Sequence, residues 1–134
     1  MREVVVFSGS AHQPLAHRIC DELGVTLSQT LISRFSNDCL QAQLLANCRQ
    51  RDVYIVQPLV PPTQDSLMEL LLMVDAAKGA SAGMITAVIP HFAYARSDKK
   101  DASRISLGGR LVADLISTAG ADRELTMNLH APQV

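Results

Sequence analysis

The side chains with the most chemical potential are clustered late in the chain. Between Arg96 and Arg110 stand Arg96, Lys99, Lys100, Arg104 and Arg110 against only Asp98 and Asp101, a local charge of +3 in a chain of net charge -1. An apolar, β-branched run from Met84 to Ile89 precedes them and predicts a buried strand, which Pro90 ends because proline has no N–H for the sheet ladder. Phe92 and Tyr94 alternate in the segment between. Cations and aromatics just beyond the carboxyl end of a strand stand where open parallel sheets bind their ligands. A guanidinium, two ammonium groups and a flat ring suit a planar base carrying a string of phosphates. The same pattern also describes a solvated charged loop whose aromatics turn into the core, and charge alone weighs toward that simpler reading.

A second pair lies at the other end of the same region. Asn128 and His130 are two apart on a predicted strand, so their side chains leave one face of the sheet. Taken alone, a histidine at a strand end is more often structural than a ligand. His12 and His17 are five apart, fall on different faces of a helix and read as surface residues rather than a metal pair. Neither the G-x-x-x-x-G-K-[ST] nor the G-x-G-x-x-G spacing occurs, so a nucleotide site must be assembled from side chains on separate loops.

Elements able to position these groups alternate along the chain. Val4 to Phe7 predicts a strand turned by Ser8-Gly9-Ser10, and Pro14 opens a helix with Leu15, Ile19 and Leu23 on one face and Gly24 as its stop. Two strand candidates, Thr26 to Phe35 and Leu40 to Leu45, flank a hairpin turn at Arg34 to Asp38. Val53 to Val56 reads as a strand followed by a loop from Pro58 to Pro62. Ser66-Leu67-Met68-Glu69 matches a capping box, opening a helix with Leu70, Leu71, Val74 and Ala77 on its apolar stripe and Met68 and Met73 as core filler. Leu107, Leu111, Leu115 and Ile116 define a third helix closed by Gly120, and Leu125 to His130 reads as a last strand. Strands alternating with helices predict an α/β domain with a largely parallel sheet and right-handed winding.

Composition narrows the class. A chain of 134 residues, 48% hydrophobic, reads as one soluble domain with its own core. Twelve basic against thirteen acidic residues leave no global field for nucleic acid, so any polyanion recognised must be small and local. No apolar run is long enough for a bilayer, and Met1-Arg2-Glu3 leads into a strand instead of a signal sequence, which predicts a cytoplasmic protein without membrane partners. Cys20, Cys39 and Cys48 are odd in number with no C-x-x-C spacing and read as reduced thiols.

Tyr94-Ala95-Arg96, Asp98-Lys99-Lys100-Asp101, Ser103-Arg104, Ala119-Gly120-Ala121-Asp122 and Leu129-His130-Ala131 resemble the ribose-phosphate pyrophosphokinase (phosphoribosyl pyrophosphate synthetase) family. So do Phe7-Ser8-Gly9-Ser10, Arg34-Phe35-Ser36-Asn37, Asp52 to Gln57 and Leu67 to Leu71, in the same order and spacing, so the resemblance spans essentially the whole chain. It implies an amino-terminal domain over residues 1–134 with a phosphoribosyltransferase-like α/β fold and a protruding β-hairpin, the family's second domain being absent. The implied reaction moves the diphosphoryl group of ATP to ribose 5-phosphate with Mg2+, in a homo-oligomer or a hetero-oligomer of homologous subunits. By resemblance Phe35, Asn37, Arg96, Ser97 and Asp101 belong to the ATP site, the hairpin tip serving a neighbouring subunit. His130 is implied as catalytic and, with Asn128, as a metal ligand. A phosphate-sensing site would fall near Arg49 and Ser81. The chain departs from the family at Cys39 and Asn128, where glutamate and aspartate are usual, and at Ser97, where glutamine is usual. These departures keep open a non-catalytic subunit that regulates active homologues. Without the resemblance, the residues support a generic α/β nucleotide-binding module.

Overall fold

A computed structural model describes residues 2–96 and 103–127. Four strands form a parallel sheet in the order β1 (Val4–Ser8), β4 (Asp52–Val56), β5 (Met84–Ile89), β6 (Arg123–Thr126). β2 (Thr30–Arg34) and β3 (Leu40–Leu44) pair antiparallel as a separate hairpin, with Thr30 opposite Leu44 and Arg34 opposite Leu40. The helices are α1 (Gln13–Leu23), α2 (Thr63–Gly79) and α3 (Gly108–Ala119), and a 3-10 turn follows β5 at Ala93–Arg96. The expected α/β architecture, parallel sheet and hairpin are all present.

Alternation along β1 builds two cores. Val5 and Phe7 join Val53, Ile55, Leu70, Val74, Val112 and Ile116 on the face covered by α2 and α3. Val6 and Val56 join Ala16 and Cys20 on the face covered by α1. Each fully buried Leu, Ile, Val or Phe contributes about 1.5–3 kcal/mol, so the larger cluster dominates stability. α1 lies on the other face because the chain leaves β1 away from β4, and Ser28 pairs in parallel with Phe7 through a Ser28 N–H to Val6 carbonyl bond of 2.9 Å. From β4 onward the chain moves the other way across the sheet, which puts α2 and α3 together on the opposite face.

Local signals are read correctly at α1, where His12 Nδ1 accepts from the Leu15 N–H, Pro14 sits in the first turn, and Gly24 adopts the left-handed cap at φ 72°. The stripe is displaced, however: Ala16 and Cys20 are buried while Leu23 is 57% exposed. α3 shows the same displacement. Its inner face is Gly109, Val112 and Ile116, and Leu111 and Leu115 stand outside, because neighbouring positions differ by about 100° and the entry of the helix sets its rotation.

The Ser66-Leu67-Met68-Glu69 spacing does not form the expected capping box. α2 begins three residues before Ser66, at Thr63, and its N-cap residue Pro62 offers no side-chain bond. Ser66 Oγ instead donates to the Val60 carbonyl at 2.8 Å. Glu69, 7% exposed, accepts from the Ser10 N–H at 2.9 Å, the Ser10 hydroxyl at 2.7 Å and Gln57 Nε2 at 3.3 Å. Gln57, fully buried, also accepts from the Ala11 N–H at 3.2 Å and donates to the Ser66 carbonyl at 3.3 Å. The spacing that imitates a local cap thus serves a contact between distant elements. Met73 is fully buried as core filler, but Met68 is 47% exposed, since it lies off the face formed by Leu70, Met73, Val74 and Ala77.

Glu69→Ala is expected to cost about 2–3 kcal/mol in urea unfolding, because the buried Gln57 amide loses an acceptor and Ser10 loses both of its bonds to α2. A loss near 1 kcal/mol, the usual worth of a helix cap, would return Glu69 to a local role.

Candidate functional site

The carboxyl ends of β5 and β6 open the candidate site. β5 ends at Ile89 as Pro90 requires, and the loop is held against its neighbour by the Leu59 N–H to His91 carbonyl bond of 2.8 Å. Phe92, only 5% exposed, belongs to the core, so of the two aromatics it follows the simpler reading. Tyr94 is half-buried, and its hydroxyl accepts from Gln64 Nε2 at 3.2 Å. The backbone of Arg96 closes the 3-10 turn. Ser97, Asp101, Asn128 and His130 lie outside the described residues, as do Lys99 and Lys100.

Beside these strand ends, where α3 faces β6, lies a cavity of about 260 Å3 lined by Phe92, Ala113, Glu124 and Thr126. Burial, helped by the nearby Asp114 carboxylate, raises the Glu124 carboxyl above its ordinary value. Its negative charge is therefore disfavoured in this cavity.

The hairpin carries the second part of the site. Its tip is self-supporting: Phe35 N–H donates to the Cys39 carbonyl at 2.8 Å, Asp38 N–H to the Phe35 carbonyl at 2.9 Å, and Asn37 Oδ1 accepts from Cys39 N–H at 3.2 Å. Asp38 takes the left-handed conformation at φ 72°, which its short polar side chain tolerates. The turn presents Phe35, 50% exposed, together with exposed Asn37.

The residues connecting these parts were not singled out from sequence. Arg34 reaches Asp38 Oδ1 at 2.6 Å and Asp65 Oδ2 at 2.8 Å, and these carboxylates hold its guanidinium further above its ordinary range. Asp65 and Gln64 are neighbours in the first turn of α2, so one turn touches the hairpin base through Arg34 and the post-β5 segment through Tyr94. A cavity of about 430 Å3 lined by Arg34, Cys39, Gln64, Asp65 and Met68 marks this junction. Acidic and amide residues in a first helical turn carry no distinguishing pattern in a sequence. Elsewhere, Arg49 and Ser81 lie on adjoining loops, joined by a Gln50 N–H to Ser81 carbonyl bond of 2.9 Å and a bridge between Arg49 and Ala82.

A family profile for the N-terminal domain of ribose phosphate pyrophosphokinase matches residues 4–120. Over 134 residues the chain is 68% identical to a provisionally named ribose-phosphate pyrophosphokinase of Streptomyces coelicolor, covering 100% of this chain and 42% of that protein. It is 57% identical over 131 residues to ribose-phosphate pyrophosphokinase of Deinococcus radiodurans, covering 98% and 41% respectively. The crystal structure of phosphoribosylpyrophosphate synthetase from Mycobacterium smegmatis matches with a TM-score of 0.94 at 39% identity, over 98% of this chain and 44% of that one. The chain thus spans about two-fifths of the length of these curated relatives.

The Glu124 environment predicts a pH dependence. Unfolded, the carboxyl ionises near 4.5; folded, it keeps its proton to higher pH. The folded state therefore binds the extra proton in that window, and this group makes stability fall as pH rises from 4.5 to the raised value, then level off. Glu124→Gln is expected to be more stable than the parent at pH 7 and to lack that decline, as read by urea unfolding at a series of pH values. Parallel curves for the two proteins would mean that Glu124 titrates as in water.

Proposed function

Because the chain belongs to the family of the N-terminal domain of ribose phosphate pyrophosphokinase, we propose that it supplies the nucleotide-binding part of an enzyme that transfers the diphosphoryl group of ATP to ribose 5-phosphate. The observation carrying this reading is 68% identity over all 134 residues to a relative provisionally given that name. The product, phosphoribosyl pyrophosphate, serves nucleotide biosynthesis. Among the described residues no helix is long and apolar enough to cross a membrane; a cytoplasmic location is proposed from the substrates.

Diphosphoryl transfer needs positioned cations around charge developing on phosphoryl oxygens more than it needs covalent help. Arg96 is assigned that task, since its planar fork can hold two phosphate oxygens or stack on a base, which a lysine cannot do. Asp101 accepts from the ribose or adenine, Ser97 adds a hydroxyl, and Phe35 and Asn37 on the hairpin tip complete the adenine site of a neighbouring subunit in an oligomer. The self-supporting turn and the Arg34–Asp65 link support that use, because a recognition loop loses less entropy when its shape is set in advance.

Magnesium is the implied metal. The donor set, Asn128 and His130, offers one neutral amide oxygen and one imidazole. Among the described residues no group of three or more His, Cys, Asp or Glu side chains gathers for a cation. A hard cation favours carboxylate oxygens, so these two residues alone fit Mg2+ poorly. His130 retains the assigned catalytic place beside the ATP phosphates.

A second reading, a non-catalytic subunit regulating active homologues, is favoured by Cys39, Ser97 and Asn128. Cys39 is exposed and lines the cavity at the hairpin base. The 134 residues alone are expected to bind ATP without turnover, because they span about two-fifths of the relatives' length. A coupled assay that detects product from purified chain would overturn this. Extending the chain with a relative's remaining segment and assaying the hybrid separates the two readings, since only the catalytic one regains activity.

Arg96→Ala is expected to weaken ATP binding by about 1.5–3 kcal/mol in titration calorimetry; unchanged affinity would remove Arg96 from the site. Asn128→Asp is expected to strengthen ATP binding with magnesium and weaken it with chelator, because an added charge attracts the cation and repels the bare tetra-anion. If affinity shows no such crossover, Asn128 and His130 do not form the metal site.

A further inference from the structure

α3 turns two leucines away from the core. Gly109, Val112 and Ile116 form its buried face, while Leu111 and Leu115, one turn apart, are 44% and 40% exposed. Arg110 and Asp114 run beside them as an ion pair of 3.1 Å, with side chains 63% and 62% exposed. We propose that this face docks a second copy of the chain, the two α3 helices packing antiparallel about a two-fold axis. The contact is separate from the hairpin tip assigned to a neighbouring nucleotide site and does not rest on that reading.

The face is complementary to itself in one orientation. With the axis passing beside Ala113, Leu111 lies opposite the second copy's Leu115, and Leu115 opposite the second copy's Leu111. At each end the half-buried Gly108 of one copy meets the exposed Thr118 of the other, small residues that let the helices approach. An axis perpendicular to both helices keeps their charged strips on the same side. Arg110 is then offset from the second copy's Asp114 by two positions, about 3 Å along the helix, which its long side chain spans. In a parallel pair Arg110 would face Arg110 and Asp114 would face Asp114, and like charges repel.

Two observations separate this face from stray surface leucines. Single exposed apolar residues are ordinary, but here two adjoin on one face with a pair of opposite charges along their edge. The order of those charges also runs against the helix itself. Arg110 stands in the first turn, where the helix dipole disfavours a cation, and the pair runs from cation to anion along the chain, the weaker order within an isolated helix. Across an antiparallel contact the same order is favourable, because the amino-terminal half of each helix faces the carboxyl-terminal half of the other. Two leucines from each copy make a small interface, so the dimer is expected to be weak.

The test is sedimentation equilibrium of the 134-residue chain without nucleotide, at concentrations up to about 1 mM, the range in which a contact this small is populated. A monomer–dimer equilibrium is expected, and Leu111→Ser is expected to weaken it about tenfold or more. Arg110→Asp and Asp114→Arg are each expected to stay monomeric where the parent dimerises. An equimolar mixture of those two variants is expected to dimerise again, because two aspartates of one chain then face two arginines of the other. A role for the pair within one chain gives no such rescue. All three positions are exposed, so the variants keep the fold. The inference is overturned if the parent stays monomeric throughout, or if the three variants dimerise like the parent, which would place the contact on another face such as the hairpin. It is equally overturned if the mixture of charge variants does not associate.

Discussion

The hydrogen bonds converging on Gln57 and Glu69 are the constraint around which the carboxyl edge is arranged. The chain departs from β1 through α1 on one face and from β4 through α2 on the other, so the two departing loops must separate. In open α/β sheets the crevice at such a point commonly takes the ligand. Here Gln57 and Glu69 occupy it and tie Ser10 and Ala11 to β4 and α2. Buried polar groups are costly unless satisfied, and this network meets that condition by drawing on three elements at once. Openings lie to either side of it, among them one beyond β1, against α1 and the hairpin base, and one between α3 and β6 beside Phe92.

The hairpin depends on α2 in two ways of unequal weight. Ile32, Ala42 and Leu44 pack against the larger core and hold the hairpin on the body of the domain. Arg34 adds the bond to Asp65, with both side chains 40% or more exposed, so solvent screens much of its strength. Packing therefore holds the hairpin, and the ion pair adds little to it. The neighbouring Gln64 holds Tyr94, so a displacement of the first turn of α2 would move both parts of the candidate nucleotide site.

Elements whose signals are local were legible without the structure. Pro90 ends β5, Gly24 caps α1 in the left-handed region that a side chain would resist, and the Arg34 to Asp38 stretch turns between paired strands. The charge of the cationic stretch and the rings beside it were likewise visible in residue identity, although the burial of Phe92 was not. What proved ambiguous was orientation. Leu111 and Leu115 have helical spacing as good as that of Val112 and Ile116, and only the latter pair meets the sheet.

Residue identity by itself determined the alternation of strands and helices, the stops between them and the concentration of cations after β5, because each follows from backbone sterics, side-chain periodicity or charge within a few residues. Tertiary structure alone decided that Ser66 and Glu69 do not form a cap, that Phe92 is core while Tyr94 reaches Gln64, and that Arg34 finds Asp65. Those outcomes pair groups up to 59 positions apart, as between Ser10 and Glu69. A hydrogen bond is satisfied by whichever partner packing brings within reach, and local spacing carries no information about a partner that arrives from another element.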